Sequence, residues 1–311
     1  MMRLLTKAKQ TRTMARNGIS APRHFLEPVL YLLPFLVGLA AFTVYPFVNA
    51  FVISLKENYN LMSGSFSAIG LDNYAKIFGD PNFINGMKNT GIYVVTVVPI
   101  TTALALLVAV LLNGSPRLQG LFQTAYFMPM VTSVVAVGLV WKWLFNYDYG
   151  LINYVLSLFG AAPINWLNNP AYNLPALIMF GIWNKMPLTI ILLLAGLQTI
   201  DPQYYTAARV DGARPWRIFF RITLPLLGPT LGLTMIVNTI SASMVFRELF
   251  PLFNGNPGSA YSLYTIVYYL YDMFYKQWEY GPAAASAVVL FAIVLLLTIV
   301  QMIIQRKWKH Y

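Results

Sequence analysis

The feature that most limits this chain is a recurrence of apolar stretches, each long enough to cross a bilayer, since about 20 helical residues span the hydrocarbon core. Six of them fall near Val29–Leu55, Thr90–Leu112, Leu121–Trp143, Leu174–Leu197, Leu226–Phe250 and Ala283–Ile304. In lipid every backbone N–H and C=O must be paired inside the segment, so such stretches read as helices and the chain as an all-α integral membrane protein. With 58% hydrophobic and 10% charged residues and a mean hydropathy of +0.60, its composition lies far from soluble averages.

Charge sets the topology. Lys and Arg number six before the first stretch (Arg3, Lys7, Lys9, Arg12, Arg16, Arg23), one between the second and third (Arg117), four between the fourth and fifth (Arg209, Arg214, Arg217, Arg221) and three after the sixth (Arg306, Lys307, Lys309). The opposite-side connections carry only Lys56, Lys76, Lys88 and Lys276. The positive-inside rule therefore puts both termini and the fourth connection in the cytoplasm. Residues 1–27 read as a basic cytoplasmic arm that meets anionic lipid, residues 28–304 as one transmembrane domain, and residues 305–311 as a basic tail. The first apolar run is too long for a signal-peptide core and lacks a small-residue cleavage site, so it is kept as a span. A net charge of +11 would suggest nucleic acid in a soluble protein, but here it follows the cytoplasmic connections, and no nucleic-acid partner is expected.

Between the spans, a short helix is expected around Leu71–Phe78, and the apolar run INYVLSLFG is too short to cross. Gly255-Asn256-Pro257-Gly258 is a strong turn signal. Trp141, Trp143, Tyr264, Tyr268, Tyr269 and Tyr271 read as interfacial anchors, and so does Lys142.

Catalytic chemistry finds no foothold. There is no cysteine, no phosphate-binding glycine-lysine loop and no H-E-x-x-H, and the two histidines, His24 and His310, lie near opposite ends. No catalytic residue, bound metal or cofactor is expected of this chain.

The fourth connection, YYTAARVDGARPWRIFFRITLPLLGP, is unusual. Pro202–Val210 suits a short helix ended at Asp211-Gly212, where glycine takes a left-handed turn without steric penalty. A second helix then begins near Pro215, placing Arg214, Arg217 and Arg221 at i, i+3 and i+7, and Pro225 ends it or re-aims the chain. The result is a rigid helix-turn-helix knob that can transmit force.

The pattern Tyr205-Thr206-Ala207-Ala208-x-x-Asp211-Gly212-Ala213, followed by Arg214 and then by Phe219-x-x-Ile222-Thr223-Leu224-Pro225-x-x-x-Pro229, resembles the EAA loop of permease subunits in binding-protein-dependent ABC importers. The likeness extends to YLLPFLVGLAAFTVYPFVNAFVISL, IGLDNYAKIF, FQTAYFMPMVTSVVAVGLVWKWLF and YGPAAASAVVLFAIV, which are similar to the carbohydrate-uptake branch with its maltose and glycerol-phosphate permeases. The resemblance implies the type I importer permease fold, six transmembrane helices with a cytoplasmic coupling helix between the fourth and fifth (coupling loop 200–225), in a prokaryotic inner membrane. It also implies a second permease subunit, arranged as a heterodimer, two ATPase subunits that carry ATP and Mg, and an extracellular or periplasmic solute-binding protein. The family's usual glutamate before the two alanines is Thr206 here, so an ion pair from that position to the ATPase is unavailable.

Polar residues inside spans are costly and mark function by default. Three groups stand out: Asn184-Lys185, Asn238 with Ser241 and Ser243, and Arg247-Glu248, the last taken as lying inside the fifth span. Lys185 either faces a solute, snorkels along a helix disturbed by Pro187, or pairs with a partner subunit. A neutral sugar would rely on the amides and hydroxyls, an anionic solute such as a glycerol phosphate or acidic glycan on Lys185 or Arg247. A channel or secondary transporter would need no docking knob and would more often show carboxylates within its spans.

Overall fold

In a computed structural model the chain is helical, and the described residues hold no strand beyond an isolated bridge between Lys56 and Ile69. The structure describes residues 23–114, 120, 124, 128 and 130–308, with side chains for positions 28–306 of these. The first 22 residues of the basic arm, Arg117, most of the first half of the third apolar stretch and the last three residues of the tail lie outside that set.

The N-terminal unit, residues 1–52, is a single helix in its described part. That helix, α1 (Pro28–Ser54), contains a π-helical turn at Ala40–Val44. All further elements belong to the second unit, residues 53–311. They are α2 (Asp72–Gly79), α3 (Pro81–Asn113), α4 (Val134–Leu144), α5 (Leu151–Leu158), α6 (Pro170–Gln198), α7 (Pro202–Val210), α8 (Pro215–Leu226), α9 (Gly228–Ser243), α10 (Leu249–Phe253), α11 (Ile266–Tyr271) and α12 (Tyr280–Trp308). Among the described residues α1, α3, α6 and α12 are long and apolar enough to cross a membrane, and the bent pair α8 and α9 adds a fifth candidate.

Three helices start where the sequence writes a cap followed by proline. Asp80-Pro81, Asn169-Pro170 and Asp201-Pro202 open α3, α6 and α7, and each cap side chain accepts a hydrogen bond from the amide two residues on, at 2.9, 3.0 and 2.8 Å. The cap satisfies one orphan N–H, and proline at the first helical position has none to lose.

The α3–α6 pair is the most extensive contact of the second unit and carries two cores. One gathers Phe83, Tyr93, Phe180, Leu249 and Tyr268. The other gathers Ala109, Leu193, Leu197 and Leu227, with Tyr205 packed against it. The two helices meet closely at Gly181, where a Cβ would collide with the Tyr93 hydroxyl.

Two expectations need correction here. The fifth apolar stretch, Leu226–Phe250, is not one helix. The helix α9 stops at Ser243, and Arg247 and Glu248 sit in the break before α10 rather than inside a span. Glu248 accepts a hydrogen bond from the Phe246 amide (3.2 Å) and Thr265 donates to the Val245 carbonyl (3.1 Å), so side chains take the backbone groups that a continuing helix would pair. Of the residues read as interfacial anchors, Tyr264, Tyr268 and Tyr269 are core residues, buried against α3 and α12.

Candidate functional site

Two regions contain the expected site residues. The first is the knob, α7 and α8. Asp201 caps α7, and the helix closes with paired bonds, Gly212 N–H to Arg209 carbonyl (3.0 Å) and Ala213 N–H to Ala208 carbonyl (2.9 Å). That pattern is a Schellman turn, and it requires the left-handed φ of +70° that Gly212 adopts. Arg214 precedes Pro215 in extended conformation and opens α8. Tyr205 anchors the knob on its inner side, its hydroxyl 3.4 Å from that of buried Thr223, while packing on the core around Leu227. The α8 helix then turns 65° into α9 across Leu227, two residues beyond Pro225.

Exposure differs along this segment. Thr206, Ala207, Asp211 and Arg214 are exposed and Ala213 is half-buried. Ala208 is buried, so of the two alanines only Ala207 presents its side chain outward. Thr206 bonds back to the Pro202 carbonyl at 3.2 Å, a local bond that an exposed threonine makes within its own helix turn. The even arginine stripe read from the sequence is interrupted. Phe219–Thr223 forms a π-helical turn, which inserts a residue and shifts Arg221 off the register of Arg217. Arg217 lies over the exposed Trp216 ring, its guanidinium carbon 5.8 Å from the ring centre.

The second region lies between α6, α9 and α12. Buried Lys185 donates from Nζ to Ser241 Oγ at 2.7 Å. Asn238, also buried, donates to Thr189 Oγ1 at 3.0 Å, and Thr189 in turn donates to the Lys185 carbonyl at 2.9 Å. On the neighbouring turn Gln301 Nε2 donates to Thr239 Oγ1 (2.7 Å), tying α12 to α9. Lys185, Asn238 and Ser241 are thus brought together. Ser243 is not, since its hydroxyl donates to the Thr239 carbonyl of its own helix (2.8 Å). Asn184 is half-buried outside the network, Arg247 is exposed and Glu248 is buried in its break.

Thr189 and Gln301 were missed in the sequence, although Thr189 lies four residues after Lys185 and so on the same helix face. Gln301 and Gln305 repeat that spacing along the last turns of α12, and Gln305 donates to the Pro229 carbonyl at 2.9 Å. An ordered side chain network between three helices is a polar seam through an apolar wall, able to hold hydroxyl or amide groups and, at Lys185, an anion.

A model of the binding-protein-dependent transport system inner membrane component matches residues 101–310. The chain belongs to this family. It is therefore a permease component of an importer rather than a free-standing channel. A trehalose/maltose transport system permease protein of Thermococcus litoralis is 32% identical over 277 residues, covering 89% of this chain and 92% of the relative. A sulfoquinovosyl glycerol transport system permease protein of Agrobacterium fabrum is 34% identical over 282 residues, 90% and 91% of the two chains. Among solved structures, a bacterial alginate ABC transporter in complex with an alginate pentasaccharide-bound periplasmic protein superposes with a TM-score of 0.79 at 24% identity, over 93% of this chain and 96% of that one, which places the permease in the same fold.

Proposed function

We propose that this permease forms half of the translocation pathway of an ATP-driven importer for a neutral sugar or oligosaccharide, and that the α7–α8 knob is its coupling element. In this reading the chain has six spans, with both termini and the knob in the cytoplasm. ATP and Mg are bound by two separate ATPase subunits, and the knob docks on one of them through Thr206, Ala207, Asp211, Gly212, Ala213 and Arg214, with Tyr205 and Ala208 packed beneath. A second, non-identical permease completes the pathway, and a solute-binding protein loads it from outside. ATP-driven closure of the ATPase pair moves the knob, and the 65° bend at Leu227 passes that movement into α9 and its polar seam.

The observation that carries the reading is the knob's closed hydrogen bonding at both ends of α7, because a docking element must move as a body to transmit displacement. The relatives named for trehalose, maltose and sulfoquinovosyl glycerol support a sugar as solute. A second reading, an anionic solute, is favoured by Lys185, a buried cation with a hydroxyl partner and no described ion pair. Uptake by Lys185→Gln, Arg247→Gln and Asn238→Leu importers in proteoliposomes separates the two. Loss only in the asparagine variant supports the neutral solute, and selective loss in the cation variants overturns it. Failure to co-purify with any ATPase subunit removes the importer reading altogether.

A further inference from the structure

A cleft of about 610 Å³ opens in a part of the molecule that the coupling knob and the polar seam do not use. It lies between the connection after α4 and the turn after α10, and five asparagines line it: Asn146, Asn165, Asn168, Asn254 and Asn256. Their hydrogen bonding is uneven. Asn146 spends its oxygen on the Asp148 and Tyr149 amides (2.9 and 3.2 Å), and Asn165 on the Asn168 amide (3.2 Å). Lys142 Nζ donates to Asn254 Oδ1 at 2.8 Å. Among the described residues, the NH2 groups of Asn146 and Asn165 and the whole amides of Asn168 and Asn256 remain without a partner. One lysine and one aspartate, Lys142 and Asp148, leave the wall without net charge.

The backbone around the cleft is strained. Three of the five described non-glycine residues with positive φ line it: Asn254 (+55°), Ala260 (+53°) and Tyr261 (+57°). A bulky aromatic in the left-handed region persists only where its surroundings over-determine it. They do so here, for Asn85 donates to the Tyr261 carbonyl (3.1 Å) and Asn89 to those of Ser262 and Tyr264 (2.9 and 2.8 Å). The hydroxyls of Ser259 and Ser262 lie 2.9 and 2.8 Å from the Asn173 amide. This clamp holds the Tyr261 ring on the rim, 60% exposed and edged by Tyr264.

We infer that this cleft is a saccharide-binding site on the external face, in which unpartnered amides meet sugar hydroxyls and the Tyr261 ring stacks on a pyranose face. Amides that both donate and accept, an aromatic ring and a wall of no net charge suit a neutral oligosaccharide better than an anion. The side of the membrane and the class of ligand rest on the sugar-importer reading above.

Because the chain has no cysteine, Ala260→Cys installs its sole thiol at the rim. The reconstituted importer is treated with a membrane-impermeant maleimide from the external side, alone or with maltotetraose, cellotetraose or an alginate pentasaccharide. A neutral tetrasaccharide at about four times its dissociation constant should slow labelling about fivefold, since only empty sites react. Tyr261→Ala and, on an exposed position that the fold does not use, Asn256→Leu should each abolish that protection. No protection by either neutral sugar, protection by the acidic one alone, or protection that survives Asn256→Leu overturns the site. Labelling needs no ATP, so lost protection with ATP-driven uptake intact condemns the cleft alone, whereas absent uptake with protection intact condemns the importer reading.

Discussion

The knob and the segment Asn254–Tyr264 both leave the long helices and both are held in defined shapes, but by opposite means. The bonds that shape α7 are local: Asp201 caps its own helix, Gly212 closes it two residues past Val210, and Pro202 and Pro215 sit at first helical positions, while Tyr205 packs on the core. The Asn254–Tyr264 segment is held from afar. Asn85 and Asn89 on α3 and Asn173 on α6 reach across 86 to 176 positions of sequence to bond it. A local unit can move as a body without losing its shape, which suits an element that transmits force. A segment clamped by two other helices keeps its shape only while they stay in place, which suits the fixed wall of a cleft.

The comparison breaks most plainly at the clamp. Asn89→Leu strips donors from two carbonyls in or near the core, and a buried carbonyl left without its donor costs enough that we expect a loss of about 2–4 kcal/mol. Thermal unfolding of the purified complex should fall, and labelling of Ala260→Cys should no longer respond to sugar, while ATPase assembly is kept. Unchanged labelling would show that the segment holds its own shape.

Gly212→Val comes next. A β-branched residue in the left-handed region is strained by roughly 1–2 kcal/mol, enough to displace the Schellman turn but not to unfold α3 and α6. Insertion and subunit association should survive, with ATP hydrolysis continuing and uptake lost. Normal uptake in proteoliposomes would count against the knob as coupling element.

Asp201→Ala removes one cap and should weaken α7 by about 1 kcal/mol, lowering uptake modestly. The sharpening control is Asp201→Asn, which caps equally well and should restore it; a loss in both variants would point to the charge instead of the cap.

The smallest effect is expected from pH. Burial raises the Asp272 carboxyl, but hydrogen bonds from Tyr264, Gln277 and Lys276 outweigh it and hold it below the usual carboxylate range. A depressed carboxyl contributes stability above its unfolded pKa and loses it as pH falls through the folded value, so the segment after the cleft should loosen only below about pH 4. Asp272→Asn should flatten that acid limb in a thermal-shift series, and an unaltered limb would rule out this aspartate as its source.

The sequence by itself determined the class of molecule and the local turns of the knob, though not the π-helical turn at Phe219–Thr223 that displaces Arg221. Apolar runs of about 20 residues dictate helices in lipid because the helix is the spanning form that pairs its backbone within a single segment, and the caps, prolines and glycine of Asp201–Pro215 act on neighbours one to five residues away. The limits of α2 and α7 and the turn at Gly255–Gly258 were legible for the same reason. What only the tertiary structure decided has a different cause. Apolar content alone made Leu226–Phe250 look continuous, but the break at Arg247-Glu248 depends on a hydroxyl from Thr265 that packing brings to Val245. Tyrosines near a predicted interface resemble lipid anchors until α3 and α12 close over Tyr264, Tyr268 and Tyr269. Lys185, Asn238 and Ser241 could each be picked out as polar residues in apolar runs, yet their union through Thr189 required α6 and α9 to lie side by side. Hydrogen bonds between distant helices leave no periodic mark in a sequence, because what selects them is the distance between two helix faces and not the spacing along one.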